Sequence, residues 1–229
     1  TRADLLSGPI ERPDRAFDVL CELAERVDDK RELLPELEAL VSDASQAKAL
    51  LRLADMALAE QTDQDAATLR LVGRLALDWL NRPQKALEAL QAAFVLANDD
   101  VDLARTLGGL FITQRKHQQL LELYRECGES YFDELDGLSP TIRWHMAVAE
   151  LQEEKLLDFA GAVETHEELL AIEADYRPAL ERLQALLTRL RDIPRLVATL
   201  NRLAEMTEQP RKVMILIEGA RAIKGMGKM

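Results

Sequence analysis

Three histidines and two cysteines are the residues of this 229-residue chain best suited to acid–base, nucleophilic or metal chemistry, and none stands at a working spacing. A zinc site on a helix needs two ligands one turn apart, whereas His117, His145 and His166 are widely separated. Each reads as a partly buried packing residue satisfied by a local hydrogen bond, with pH sensing as the alternative role. Cys21 and Cys127 fall on different predicted helices with no neighbouring Cys or His, so they read as free thiols of a reducing compartment. A reactive thiolate would need an adjacent cation or helix N-terminus, and neither is evident. Asp28-Asp29, Asp63 with Asp65, and Asp99-Asp100 lack the Gly and terminal Glu of a calcium loop and read as turn residues. The tail Gly225-Met226-Gly227-Lys228-Met229 lacks the first Gly, the Ser or Thr and the preceding strand of a phosphate loop, and reads as a flexible terminus. No nucleophile elbow or dinucleotide loop occurs, and glycosidase carboxylate pairs are a matter of space rather than spacing. The expectation is a protein that is not an enzyme and carries no cofactor and no metal.

The elements around these residues are helical. Apolar residues recur at three- and four-residue steps, as in Leu69, Val72, Gly73, Ala76, Leu77 and Leu80, and strand-like alternation is absent. Breaks rich in Asp, Asn and Pro offer side-chain caps or a Pro for a first turn. Between them the pattern predicts about 12 helices: 13–27, 31–42, 45–60, 64–80, 83–97, 101–114, 117–131, 139–156, 159–173, 177–190, 193–207 and 210–223. Residues 1–10 read as the tail of a further helix, and 210–223 as a first helix without its partner, as if the chain were cut from a longer array. Residues 129–139 read as a loop between hairpins. The chain also repeats itself. Arg82-Pro83-Gln84-Lys85-Ala86-Leu87 echoes Arg12-Pro13-Asp14-Arg15-Ala16-Phe17, and a worn copy stands at Asp158-Phe159-Ala160-Gly161-Ala162-Val163, placing Ala16, Ala86 and Ala162 at steps of 70 and 76 residues. Such a period is about twice that of a helical-hairpin repeat and implies a solenoid whose units pack on their neighbours.

Leu107-Gly108-Gly109-Leu110-Phe111 before Gln114-Arg115-Lys116-His117 sets a small residue, a large apolar residue three further on and a turn. Val72-Gly73 with Ala86, and Val148-Ala149 with Ala162, repeat the arrangement with one extra residue before the turn. On these residues the chain resembles tetratricopeptide repeats, in particular long bacterial arrays in which two slightly different hairpins alternate. Ala93 and Cys127 take the small-residue slot of the second helices. Gln184, Leu187 and Ala76 depart from the pattern, as do Asp28, Asn98 and Ala174 where the family often has Pro, and the hairpin at 31–60 fits worst. The resemblance implies an all-α fold, an α-solenoid (right-handed superhelix) of about six TPR-like hairpins, in one segment over 1–229 with modules near 1–80, 81–157 and 158–229. Gly73 and Gly108 cost about 1 kcal/mol each inside a helix, which close approach of a neighbouring helix backbone would offset.

In that family the first helix of each hairpin lines a concave groove. The polar groove candidates here are Arg70, Arg74, Asp78, Arg105, Arg143, Glu150, Glu181 and Arg189. Four arginines on three successive groove helices suit an acidic peptide or an acidic protein surface, the plain alternative being ion pairs with neighbouring helices. Arg70 and Arg74 fall on two positions of the family's carboxylate clamp, but its Asn is absent and Thr106 and Ala147 hold further positions, which argues against a chaperone-tail adaptor. Trp79, Trp144, Tyr131 and Phe132 are candidates for interface anchors or for packing between hairpins. A net charge of -12 disfavours nucleic acid and direct binding to anionic membrane, and no apolar run is long enough to cross a bilayer. The expectation is a cytoplasmic, non-enzymatic scaffold within a bacterial envelope, motility or signalling assembly, its partner a peptide or a folded regulator such as a small GTPase. A self-assembling segment of a larger multidomain protein is the competing expectation.

Overall fold

The computed structural model describes residues 13–27, 29–60, 65–208 and 211–226. Among them, twelve α-helices follow one another with short connections. They are α1 (Pro13–Ala24), α2 (Leu34–Leu40), α3 (Ala44–Glu60), α4 (Ala66–Arg74), α5 (Pro83–Leu96), α6 (Val101–Thr113), α7 (His117–Cys127), α8 (Pro140–Glu150), α9 (Phe159–Ile172), α10 (Arg177–Leu190), α11 (Ile193–Glu205) and α12 (Arg211–Met226). A 3-10 turn, Lys30–Leu33, precedes α2 and another, Gly128–Tyr131, extends α7. The last helix reaches Met226, so Gly225 belongs to a helix rather than to a flexible end, and the expected helix over 1–10 lies outside the described residues. The chain forms two compact units, Thr1–Leu110 and Phe111–Met229.

Several of the predicted breaks hold because an Asp side chain caps the helix that follows. Asp43 Oδ1 accepts from Ser45 N and Gln46 N at 2.7 and 2.9 Å, Asp100 Oδ1 from Leu103 N at 2.9 Å, and Asp158 Oδ1 from Gly161 N at 3.0 Å. Asp65 caps α4 through Ala67 N, Thr68 N and Thr68 Oγ1. Partial burial works to raise the Asp65 pKa, but the hydrogen bonds from Thr68 and Ala67 and the charge of Arg31 outweigh it and hold the carboxyl below its usual range. Pro stands in the first turn of α2, α5, α8, α10 and α11.

The extra residue read in the Val72 and Val148 hairpins takes a definite form. Both α4 and α8 end in a π-helical turn, Leu75–Trp79 and Leu151–Leu156, which absorbs one residue without turning the helix face away from its neighbours. The chain then exits through a left-handed residue, Asn81 (φ 49°) or Leu157 (φ 56°), and the next amide reaches back six residues, Arg82 N to Ala76 O at 2.7 Å and Asp158 N to Gln152 O at 2.8 Å. In the other hairpin class, Arg115 (φ 56°) and Arg191 (φ 59°) are left-handed, and the amide reaches back only five residues, Lys116 N to Phe111 O at 2.8 Å and Asp192 N to Leu187 O at 3.1 Å. Each exit recurs 76 residues on. The poorly fitting 31–60 stretch lacks such an exit: a 3-10 turn shortens its first helix and Val41 is extended instead.

Leu157 is a strained choice at its left-handed position, 64 % exposed and so gaining little from burial. Leu157→Asn, which copies the residue at position 81, is expected to raise stability by about 0.5–1 kcal/mol in urea unfolding. A loss of stability would show that Leu157 is held by packing.

Each unit has its own core. In the first, Phe17, Leu33, Leu37, Leu50, Leu71, Val72 and Leu75 join α1 to α4; in the second, Val163, Leu169, Leu180, Leu183, Leu187, Leu196 and Leu200 join α9 to α11. Gly73 is compensated differently from expectation. A Cβ there would stand 2.5 Å from Leu90 Cγ, so α5 approaches through a side chain, not through its backbone. Gly108 is buried.

Candidate functional site

All eight groove candidates are at least partly exposed. In the first unit, Arg70 and Arg74 lie one turn apart on α4. Arg70 pairs with Asp100, the cap of α6, and Arg74 Nη2 meets Glu38 Oε1 of α2 at 2.7 Å. With Arg70 36 % and Arg74 48 % exposed, these pairs are worth at most about 1 kcal/mol each. Asp78 is exposed on the π turn beside Trp79, and Arg105 is half-buried on α6. In the second unit, Arg143 donates to the Asp133 carbonyl and stacks over Phe132 at 5.6 Å, Arg189 stacks over Phe159 at 3.7 Å, and Glu181 accepts from Arg177 Nε at 2.7 Å. Arg143, Glu181 and Arg189 thus each engage a different neighbour.

Glu150 is the exception. Exposed at the end of α8, it shares the walls of two cavities. One, of about 160 Å³, is lined by Leu120, Tyr124, Ala147, Glu150, Leu151 and Lys155. The other, of about 40 Å³, is lined by Met146, Glu150, Glu153, Glu154, His166 and Arg182. The π turn places Glu153 and Glu154 here, three and four residues beyond Glu150. A buried bond from Thr165 Oγ1 to Gln152 Oε1, at 2.8 Å, ties that turn to α9. Close packing around Gly161 tightens the joint, since a Cβ there would stand 2.7 Å from Gln152 Nε2. Burial, aided by the charge of Glu150, raises the Tyr124 pKa.

The histidines divide. His145 is satisfied as expected, its Nδ1 lying 2.8 Å from the Thr141 carbonyl oxygen. His166 corrects the expectation: it is 2 % exposed and its buried Nδ1 has no hydrogen-bond partner. Burial first, then the charges of Arg182 and His145, push its pKa down to about 4, so the ring is neutral. The cysteines are poor nucleophiles. Burial, with Asp18 and Glu25 nearby, pushes the Cys21 thiol up to about 11, and burial with Glu126 raises Cys127. Tyr131 and Phe132 pack edge-on against Tyr124, and Trp144 Nε1 donates to the Tyr124 carbonyl at 2.7 Å. These three aromatics are therefore packing residues, and Trp79 alone of the four candidates is well exposed, at 41 %. Among the described residues, no helix is long and apolar enough to cross a membrane.

Sequence reasoning passed over Glu153, Glu154, His166 and Arg182 as a group. The signal for the first two was present, because carboxylates at positions 150, 153 and 154 share one helical face.

No family model matches the chain, and no curated protein does. Among solved structures it is similar to MamA of strain AMB-1 (11% identity, 88% of this chain and 98% of that one, TM-score 0.42). A second MamA structure is 16% identical over 81% of this chain and 91% of that one, with TM-score 0.40. PilF of Pseudomonas aeruginosa is 17% identical over 94% and 90%, with TM-score 0.37. Likeness at this distance carries no argument about function. The hairpins themselves, alternating between two turn geometries, give the described residues an all-α helical-repeat fold of TPR-like hairpins.

Proposed function

We propose that the protein is a non-enzymatic scaffold that binds a protein or peptide partner through the first-helix faces of its hairpins. The observation that carries the reading is the pairing of Arg70 and Arg74. Both guanidinium groups are held on one face by carboxylates from elsewhere in the unit, Asp100 at the cap of α6 and Glu38 on α2, at exposed sites where a partner's carboxylate can compete. Arg105, on the next first helix of the same unit, belongs to this basic face, and an acidic peptide or an acidic patch on a folded regulator, such as a small GTPase, is its complement. A place in an envelope, motility or signalling assembly of the cytoplasm fits a scaffold of this kind.

Reversing Arg70→Glu together with Arg105→Glu is expected to abolish capture of acidic partners from a lysate of the native cell, with helix content and melting little changed. Retention of the partner would move binding to another face, and unfolding would make the arginines structural.

A second reading, self-assembly, is favoured by α12, whose Val213, Met214, Leu216 and Ile217 are exposed together. It requires a molecular mass that rises with concentration and is indifferent to the arginine reversal.

A further inference from the structure

The smaller cavity beside Glu150 has features that the basic face does not explain. Its lining holds three carboxylates, Glu150, Glu153 and Glu154, against one guanidinium, Arg182. That guanidinium is only loosely engaged, its Nη1 standing 3.9 Å from Glu153 Oε1. Lys155 approaches Glu154 at 3.5 Å, leaving Glu150 with no ion pair among the described residues. The rim is thus net anionic, while the neutral His166 ring and the Met146 thioether add no charge. Within that lining, His166 is 2 % exposed and its Nδ1 lacks a hydrogen-bond partner, a buried polar atom that a ligand's hydrogen bond would satisfy. Space of about 40 Å³ for water-sized groups admits a small polar head group.

From this geometry we propose that the cavity receives a primary ammonium group presented by a partner protein, either a lysine side chain or a free α-amino terminus, with Glu150 and Glu153 as its counter-charges. An ammonium brings three donors and no acceptor, which matches the carboxylates and, in the tautomer that carries its proton on Nε2, the unpartnered His166 Nδ1. The larger cavity that shares Glu150 offers Leu120, Ala147 and Leu151 to the aliphatic part of the same segment. The inference rests on reading the first-helix faces as partner surfaces. It concerns α8 of the second unit, where the basic face concerns α4 and α6 of the first.

The test uses the whole chain with methyl-labelled methionine, following the Met146 methyl signal, assigned through Met146→Leu. The probes are Nα-acetyl-lysine N-methylamide, alaninamide and the Nε-acetylated lysine derivative. Saturable shifts with the lysine or alaninamide probe are expected, with a dissociation constant on the order of millimolar for so small a fragment. The tighter of the two identifies the source of the ammonium, and the acetylated probe is expected to be silent. Glu150→Gln and Glu153→Gln should each weaken binding about fivefold, and added salt should weaken it further. Circular dichroism of each variant guards against unfolding, and Glu150, being exposed, gives the variant least exposed to that risk. No saturable shift up to about 50 mM probe, equal shifts from the acetylated probe, or indifference to both substitutions would overturn the proposal. None of these results depends on the arginine face, so either reading can fail while the other stands.

Discussion

Lowering the pH from 7 to 4 is expected to remove about 3 kcal/mol of stability from the second unit through His166 alone. The ring is buried and neutral, with a folded pKa of about 4 against an ordinary value of 6.5. A histidine with a depressed folded pKa binds its proton more readily in the unfolded chain, so its contribution is fully present above pH 6.5. It is lost progressively as the pH falls towards 4 and is flat below that, with about 2 kcal/mol gone by pH 5. The measurement is urea unfolding at several pH values in a Trp79→Phe background, which leaves Trp144 as the reporter within the second unit. The comparison is His166→Phe, which keeps an aromatic ring and does not titrate. Parallel pH profiles for the two proteins would sink the argument. The lowered carboxyls of Asp65, in the first unit, and Asp192, in the second, add acid sensitivity at lower pH that both compared proteins share, so they do not confuse the reading.

The second large effect concerns Gly73. Alanine in place of an internal helix glycine ordinarily gains about 1 kcal/mol. Here the new Cβ would meet Leu90 Cγ at 2.5 Å, and Leu90 is itself fully buried in the first unit and cannot swing away. Overpacking of about 1–3 kcal/mol therefore outweighs the propensity gain for Gly73→Ala, and Gly73→Val should cost about 3 kcal/mol or more. Thermal melts of Gly73→Ala, Leu90→Ala and the double variant form a cycle. The coupling should favour the double variant, because the cavity left by Leu90 admits the added methyl. Gly109→Ala serves as the control. That position is exposed on α6 with nothing within 4 Å of its Cβ, and the substitution should stabilise by about 1 kcal/mol. Additive costs at Gly73 and Leu90 would mean that the contact between α4 and α5 is looser than the structure gives.

Helix positions were legible because the punctuation is local. Asp43, Asp65, Asp100, Asp158 and Asp192 cap helices through their own side chains, and such a signal is complete within four residues. The extra residue of two hairpins was also visible, but its form as a π turn was not, because that depends on which carbonyl the exit amide reaches. The partners within each ion pair were invisible for the opposite reason. Lys30 with Glu60, Lys85 with Asp55 and Arg70 with Asp100 are each 30 residues apart, a distance set by hairpin packing and by no helical period. His166 shows the same limit for polarity. The sequence reads His166 as a partly buried packing residue, and only the neighbouring helices decide that its Nδ1 has no partner while that of His145 does.

The paired exits carry a consequence for how such a protein grows. Asn81 and Leu157 leave the helix by the six-residue reach, Arg115 and Arg191 by the five-residue reach, and both copies are 76 residues apart. An irregularity that recurs at the double period, and not in every hairpin, marks the two-hairpin block as the inherited unit. Lengthening or shortening the chain by one such block preserves the alternation, whereas adding or removing a lone hairpin sets two like exits in succession and breaks the pattern on which the next helix docks.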